Sequence, residues 1–97
     1  MKMVRAHLVI EGLVQGVYFR ANTVEVARNH GVCGWVKNTP GGAVEAVLEG
    51  GEESVKMVVE WCRKGPPMAR VEKVSIRWEK YKDEFDDFSA ITRYTTY

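Results

Sequence analysis

The 97-residue sequence has few of the residues that several protein classes require. It contains two cysteines and two histidines, and its net charge at pH 7 is only +1. Two cysteines do not make a disulfide framework, so the expected compartment is a reducing cytoplasm. A nearly neutral chain creates no strong field that would recruit nucleic acid or a membrane surface. We therefore expect neither as a partner.

Long apolar runs are missing too. Charged residues interrupt the opening stretch MKMVRAHLVIEG, which predicts neither a signal peptide nor a transmembrane span. The length suits one domain over residues 1–97, with enough apolar residues to fold without a metal or disulfides. We expect a monomer, although the sequence does not fix the oligomeric state.

Familiar catalytic motifs are also absent. There is no Walker-type phosphate loop, and neither Cys33 nor Cys62 has an arginine six residues later, as a C-x5-R loop requires. His7 and His30 are too few for a closed zinc site or a Ser-His-Asp set. The acidic run 83–87 lacks the glycine spacing of a cation loop, so we interpret it as a solvated turn. We expect no metal and no cofactor.

What the sequence does have is regular hydrophobic spacing. Apolar residues alternate with polar ones in four predicted strands, residues 3–11, 32–38, 43–49 and 71–80. Helical spacing predicts one helix ending near residue 30 and a second over 52–64. The order β-α-β-β-α-β predicts an α+β, ferredoxin-like sandwich, an antiparallel sheet with two helices on one face. Residues 82–97 suggest a charged turn and a short final strand of unknown placement.

Local signals add finer expectations. The buried stripe of the first helix is predicted at Ala21, Val24 and Ala27. Asn22 with Glu25 could form a capping box, or the helix could begin one turn earlier. The turn 39–42, Thr-Pro-Gly-Gly, suits a type II turn. His7 falls on the open face of the sheet, so we expect it to be solvated.

The stretch VQGVYFR, residues 14–20, combines a glycine loop, a helix start and an arginine. Gly16 allows backbone N–H groups to converge, and the helix N-terminus adds partial positive charge. Arg20 could add a planar fork for two phosphoryl oxygens. A solvated first-turn arginine is the commoner interpretation of an arginine taken alone. The residues leave both an anion site and an ordinary turn open.

Asn38 is a second candidate, since it ends a predicted strand directly before the rigid Pro-Gly turn. Its amide can both donate and accept a hydrogen bond, which suits the orientation of a water molecule. Judged locally, an ordinary turn asparagine is the favoured interpretation.

Two motifs together resemble the acylphosphatases, small enzymes that hydrolyse carboxyl-phosphate anhydrides. The first motif is G-x-V-Q-G-V-x-F-R, which matches residues 12–20, and the second reads GWVKN at 34–38, followed by Gly42, Val44 and Gly50. The resemblance extends from residue 3 to about 80. It implies a small-molecule acyl phosphate as substrate and hydrolysis without a metal.

The resemblance also implies a role for each matched residue. Arg20 would bind the phosphoryl group together with backbone N–H groups of the loop, and Asn38 would position the attacking water. The loop residues of the implied substrate-binding set are Gln15, Gly16, Val17, Tyr18 and Phe19.

Two other functions stay open at this point. Ferredoxin-like domains can bind single-stranded RNA on an open, aromatic sheet face, although this chain lacks the arginine-glycine-aromatic strand typical of them. Hydrogenase-maturation proteins carry an acylphosphatase-like domain that handles carbamoyl phosphate. A free-standing hydrolase fits the sequence better than either.

Overall fold

A computed structural model describes residues 1–92 of the chain. Residues 93–97 lie outside the described part, so the prediction of one domain over 1–97 stays a prediction for them. The elements in chain order are β1 (Met3–Leu13), α1 (Phe19–Asn29), β2 (Cys33–Asn38), β3 (Val44–Gly51), α2 (Glu52–Lys64), β4 (Arg70–Glu79) and β5 (Phe88–Ile91).

The five strands form one sheet in the order β4-β1-β3-β2-β5. The four strands predicted from alternation pair antiparallel, with β1 between β3 and β4 and β2 beside β3. This arrangement confirms the α+β, ferredoxin-like prediction. The tail adds the strand whose placement was open, because β5 pairs parallel with β2. The sheet is therefore mixed, and β5 forms its edge next to α1.

One hydrophobic core lies between the helices and one face of the sheet. Alternate strand residues such as Leu8, Ile10 and Leu48 are fully buried there. The predicted stripe of α2 is also buried, and it consists of Val55, Val58, Val59 and Cys62. Burying each large apolar side chain contributes about 1.5–3 kcal/mol. Both helices join the same core, which confirms that they share one face.

The helix α1 has the earlier of the two starts that the sequence left open. The helix begins at Phe19, and Tyr18 is its N-cap in a left-handed conformation. The predicted capping box of Asn22 is therefore wrong, since Asn22 lies inside the first turn and donates its side-chain N–H to the Tyr18 carbonyl. The earlier start also changes the buried stripe.

Within α1, the buried residues are Phe19, Thr23 and Ala27. Ala21 is exposed and Val24 only half-buried, so of the predicted stripe only Ala27 is fully buried. Thr23 can be buried because its hydroxyl donates to the Phe19 carbonyl at 2.7 Å. A buried polar residue that bonds inside its own helix carries no hydrophobic signal in the sequence.

The β2–β3 turn is closed as predicted, by a bond from the Gly42 N–H to the Thr39 carbonyl at 3.2 Å. The left-handed residue, however, is Gly42 with φ 94°. A type II turn needs positive φ one residue earlier, at Gly41, so the predicted turn type is wrong. Glycine is still required here, because a side chain at Gly42 would strain that φ.

The open face of the sheet is less solvated than predicted. Arg5 is buried at 8% exposure, although its position in the alternation places it on this face. His7 is half-buried, and its Nε2 lies 2.6 Å from a Glu45 carboxylate oxygen. The expectation of a solvated His7 is therefore wrong. Charged neighbours on adjacent strands cover both residues, which a single strand's alternation cannot show.

Candidate active site

A pocket of about 420 Å³ opens where α1 begins. The loop after β1, the end of β2 and the tail strand together form its wall. Its lining residues are Val14, Gly16, Tyr18, Phe19, Arg20, Ala21, Asn38, Ala90 and Thr92. The fold thus brings Arg20 and Asn38, which belong to different elements, into one pocket.

Buried apolar side chains fix the loop after β1 that lines the pocket. Val14, Val17 and Phe19 are buried at 1%, 7% and 1% exposure. Gly16 between them has φ 75°, and a Cβ atom built there would meet nothing within 4 Å. The space beside this backbone is therefore open to a ligand. A side chain at Gly16 would both strain the backbone and project into that space.

The loop presents backbone N–H groups that the protein does not use itself. In the part of the chain that the structure describes, no N–H of residues 15–18 donates to a backbone carbonyl. The first N–H groups of α1 have no intrahelical acceptor, and Tyr18 caps none of them with its side chain. Unpaired donors at a helix N-terminus favour an anion.

Gln15 connects the loop to the β2–β3 turn. Its side-chain N–H donates to the carbonyl oxygens of Thr39 and Ala43, both at 2.8 Å. These bonds fix the loop against the turn that follows Asn38. The side chains of Gln15 and Val17 are thus directed to the turn and to the core, and only their backbone groups could serve a ligand.

Arg20 lies in the first turn of α1 and is half-exposed. Its one hydrogen bond within residues 1–92 goes from Nη1 to the Ile91 carbonyl at 3.3 Å. This is a long bond to a neutral acceptor, and a charged oxygen would compete with it effectively. Within residues 1–92 the guanidinium of Arg20 therefore lies at the pocket without a carboxylate partner.

Asn38 is the last residue of β2 and is half-buried. The turn that follows is closed by a bond from the Thr39 N–H to the Ala43 carbonyl at 2.8 Å, and the Ala43 N–H donates back to the Thr39 hydroxyl at 3.2 Å. These bonds fix the backbone on the C-terminal side of Asn38. Asn38 thus lines the pocket from a fixed stretch of backbone.

Sequence reasoning did not identify the tail as part of the site. Ala90 and Thr92 line the pocket, and the Ile91 carbonyl is the acceptor for Arg20. The buried Phe88 fixes the strand, and its alternation with Ser89 was visible in the sequence. No local sequence pattern, however, indicated that β5 pairs with β2 and therefore lies near the loop after β1.

The acidic run 83–87 and His30, which the sequence analysis also considered, lie outside the pocket. In the acidic run, Glu84 pairs with Arg5 and Asp87 with Arg28. Within residues 1–92, no group of three or more histidine, cysteine or acidic side chains is arranged to hold a metal ion. His30 is the C-cap of α1.

Neither cysteine is an activated nucleophile. Burial raises the pKa of Cys62 to about 12, and burial together with Asp87 and Asp86 also raises the pKa of Cys33. A thiol whose pKa is raised is largely protonated and therefore unreactive. The structure shows both cysteines free.

The strongest electrostatic cluster lies on the open sheet face. Arg5 donates to Glu49, Glu79 and Glu84 at 3.1, 3.0 and 2.7 Å. Burial alone would raise the pKa of Glu49, but the backbone N–H groups of Glu84 and Lys82, together with Arg5, lower it. This cluster binds the segment before β5 to the sheet, and its charges are satisfied internally.

The helices of residues 1–92 are too short or too polar to cross a bilayer.

Comparison with known proteins gives a consistent result. A family model described as Acylphosphatase matches residues 6–90. An acylphosphatase of Pyrobaculum arsenaticum is 58% identical over 92 residues, which cover 94% of this chain and 97% of that protein. The crystal structure of acylphosphatase from Bacillus subtilis is similar with a TM-score of 0.87 and 31% identity, covering 91% and 98% of the two chains. An acylphosphatase structure from Coxiella burnetii matches with the same TM-score and 34% identity, covering 92% and 93%.

Proposed function

The chain belongs to the acylphosphatase family, and from this premise we propose that its pocket hydrolyses acyl phosphates to a carboxylate and inorganic phosphate. The observation that carries the proposal is that Arg20 and Asn38 line one pocket with the glycine loop. A guanidinium, a row of unpaired N–H groups and an amide are the groups this reaction needs.

The phosphoryl group binds at the loop. Its equatorial oxygens accept from backbone N–H groups of residues 15–19 and from the Arg20 guanidinium, which exchanges the Ile91 carbonyl for a charged oxygen. Charge-assisted bonds of this kind are roughly twice as strong as neutral ones. The open space at Gly16 admits the group close to the backbone. Because the donors are fixed before the substrate arrives, they need little reorganisation during the reaction.

Asn38 orients the attacking water. Its amide oxygen can accept a hydrogen bond from the water while its amide N–H donates one to another oxygen, and the closed turn after it fixes the neighbouring backbone. A water held in line with the bond to the acyl oxygen reacts at a much higher effective concentration than bulk water. The two hydrogen bonds from Gln15 to the β2–β3 turn fix the distance between the Asn38 backbone and the loop that binds phosphate.

The reaction needs no protein base. The water oxygen forms a bond to phosphorus while the bond from phosphorus to the acyl oxygen breaks, and its electron pair leaves with the carboxylate. A proton of the water passes to a phosphoryl oxygen. A carboxylate is a weakly basic leaving group, so a general acid is dispensable. Arg20 and the loop stabilise the equatorial oxygens throughout, and the proposed reaction uses no metal or cofactor.

The open sheet face gives little support to RNA binding. Lys37 lies over the Trp35 ring and His7 meets its edge, so this aromatic is already covered. Polar side chains there have acidic partners, since Glu45 contacts both Lys37 and His7. A face whose charges are neutralised internally attracts phosphates weakly.

We also propose that the chain acts by itself. It spans 97% of the Pyrobaculum arsenaticum relative, which supports a free-standing enzyme over a domain of a maturation protein. A monomer agrees with a pocket whose lining comes from one chain. A reducing cytoplasm agrees with two cysteines that are both free. Size-exclusion chromatography with light scattering checks the monomer.

Steady-state hydrolysis of acetyl phosphate by the purified protein tests the function. We expect phosphate release that persists in excess EDTA, with inorganic phosphate as a competitive inhibitor. Release that disappears with the chelator contradicts the metal-free mechanism. Absence of release under all conditions, by a folded protein, contradicts the function itself.

A further inference from the structure

A second pocket, of about 570 Å³, lies where β1 begins, β4 ends and α2 begins. We call it the Trp78 pocket, and Met3, at the start of β1, is among its lining residues. The pocket of Arg20 and Asn38 lies at the other end of β1, which its lining residue Val14 directly follows. The 11 residues of β1 extend over about 30 Å, at roughly 3.3 Å per residue. A small ligand of the Trp78 pocket therefore cannot reach the proposed phosphate site.

Trp78 exposes a large aromatic side chain that the core uses little. It lies opposite the fully buried Ala6 in the β1–β4 register, which places it on the helix side of the sheet. On that side Val74 and Ile76 pack against the core, whereas Trp78 is 48% exposed. None of the ring–ring or cation–π contacts found within residues 1–92 includes Trp78. An exposed indole that lines a pocket is typical of a ligand-binding surface.

The charges that line the Trp78 pocket favour an anion. They are the ammonium groups of Lys2, Lys56 and Lys80 and the carboxylates of Glu52 and Glu79. Both carboxylates are already paired, the first with Lys56 at 3.4 Å and the second with arginines of β1 and β4 at 3.0 and 2.9 Å. No ion pair within residues 1–92 includes Lys2 or Lys80. Two ammonium groups are thus available to a negatively charged ligand.

We propose that the Trp78 pocket binds a nucleoside monophosphate, with the base against Trp78 and the phosphate at Lys2 and Lys80. A phosphate monoester carries a charge of about −1.5 to −2 at pH 7, which matches two ammonium groups, whereas a carboxylate brings a single charge. The indole offers the flat base a stacking surface, and Tyr81 adds a second aromatic ring to the lining. The volume lies within the range of about 300–1,000 Å³ that is usual for small-molecule sites.

Calorimetric titration with AMP tests this site. The titration is made in the wild type and in Arg20→Ala, which lacks the guanidinium of the proposed phosphate site, and we expect the same Kd in both. Trp78→Ala should raise Kd by about tenfold, because the base loses its stacking surface. The double variant Lys2→Gln/Lys80→Gln should raise it by about as much, since it removes both ammonium groups. Lys73→Gln is the matched control, because Lys73 is an exposed lysine of β4 that does not line the pocket.

Adenosine and ribose 5-phosphate separate the ring from the phosphate, and each should bind at least about tenfold more weakly than AMP. The proposal is overturned if either of them binds as tightly as AMP, or if AMP does not bind at millimolar concentration. It is also overturned if AMP binding is lost in Arg20→Ala but kept in Trp78→Ala. The lysine variants change exposed residues, so they decide the question even if Trp78→Ala folds poorly. Hydrolysis of acetyl phosphate should be unchanged in them, which separates this test from that of the proposed function.

Discussion

Arg5 and Arg20 carry the same guanidinium but have different partners. Arg5 is 8% exposed and donates to three carboxylates, those of Glu49, Glu79 and Glu84. Arg20 is half-exposed and donates to one neutral carbonyl, at 3.3 Å. Arg5 lies on the open sheet face and binds the segment before β5, whereas Arg20 lines a pocket beside the glycine loop.

The difference shows how to distinguish a structural arginine from a binding one. A guanidinium saturated by carboxylates has no capacity left for a substrate, and its removal leaves buried acids without a counter-charge. A guanidinium with one weak neutral acceptor keeps its charge available for an anion. Mutation should therefore affect stability at Arg5 and activity at Arg20.

The largest expected effect is at Arg20. We predict that Arg20→Ala lowers kcat/KM for acetyl phosphate by about a thousandfold, because it removes the charged donor that we propose binds the phosphoryl oxygens. Competitive inhibition by inorganic phosphate should be lost as well. Arg63→Ala, which removes an exposed arginine from α2, is the matched control and should keep wild-type kinetics. Wild-type activity in Arg20→Ala would refute the phosphate site.

Arg5→Ala should have the opposite profile. Removing it leaves Glu49, which is 3% exposed, without its cation, and we expect a loss of about 3 kcal/mol in the free energy of unfolding. Urea denaturation measures this loss, and kcat of the folded enzyme should stay close to wild type. Arg77→Ala is the control, since this exposed arginine pairs with Glu79 at the surface and should cost under about 1 kcal/mol. Equal losses in the two variants would contradict the structural role of Arg5.

Asn38→Ala sharpens the comparison inside the pocket. The variant keeps the guanidinium that we propose binds phosphate but loses the amide that we propose orients water, so kcat should fall about a hundredfold. The inhibition constant of inorganic phosphate should change little. If phosphate binding weakened as much as kcat, Asn38 would be a phosphate ligand and not a water-positioning residue.

The smallest effect is the acid dependence of the Arg5 cluster. Hydrogen bonds from Arg77 and Arg5 lower the pKa of Glu79 to about 2, and the pKa of Glu49 is lowered as well. Unfolded glutamates have a pKa of about 4.3, so the unfolded chain binds more protons in acid. The stabilisation is thus complete above about pH 4.3 and is lost as the pH falls from there toward about 2. Melting temperature measured against pH should decline in this window, and Glu49→Gln should flatten the decline.

Much of the fold followed from local spacing. Alternation predicted the four antiparallel strands, and the stripe of Val55, Val58, Val59 and Cys62 predicted the buried face of α2. The start of α1 was less predictable, because a left-handed Tyr18 gives no propensity signal and the buried Thr23 reads as polar. The turn 39–42 was placed correctly but assigned the wrong left-handed glycine.

For the candidate site, the sequence motifs identified the residues but did not predict the hydrogen bonds that connect them. The motifs selected Gly16, Arg20 and Asn38, which the structure places at one pocket. The bonds from Gln15 to the turn span 24 and 28 positions of sequence, and the bond from Arg20 to Ile91 spans 71. No local pattern encodes contacts over such distances.

The sequence by itself determined the order of strands and helices, the glycine at the loop and the arginine that follows it. It could do so because these features depend on side-chain periodicity and on backbone conformations open only to particular residues. Only the tertiary structure decided that β5 lies beside β2, that Arg5 is buried among carboxylates and that Arg20 and Asn38 line one pocket. Those outcomes depend on which distant groups packing brings into contact, and that is a property of the folded chain as a whole.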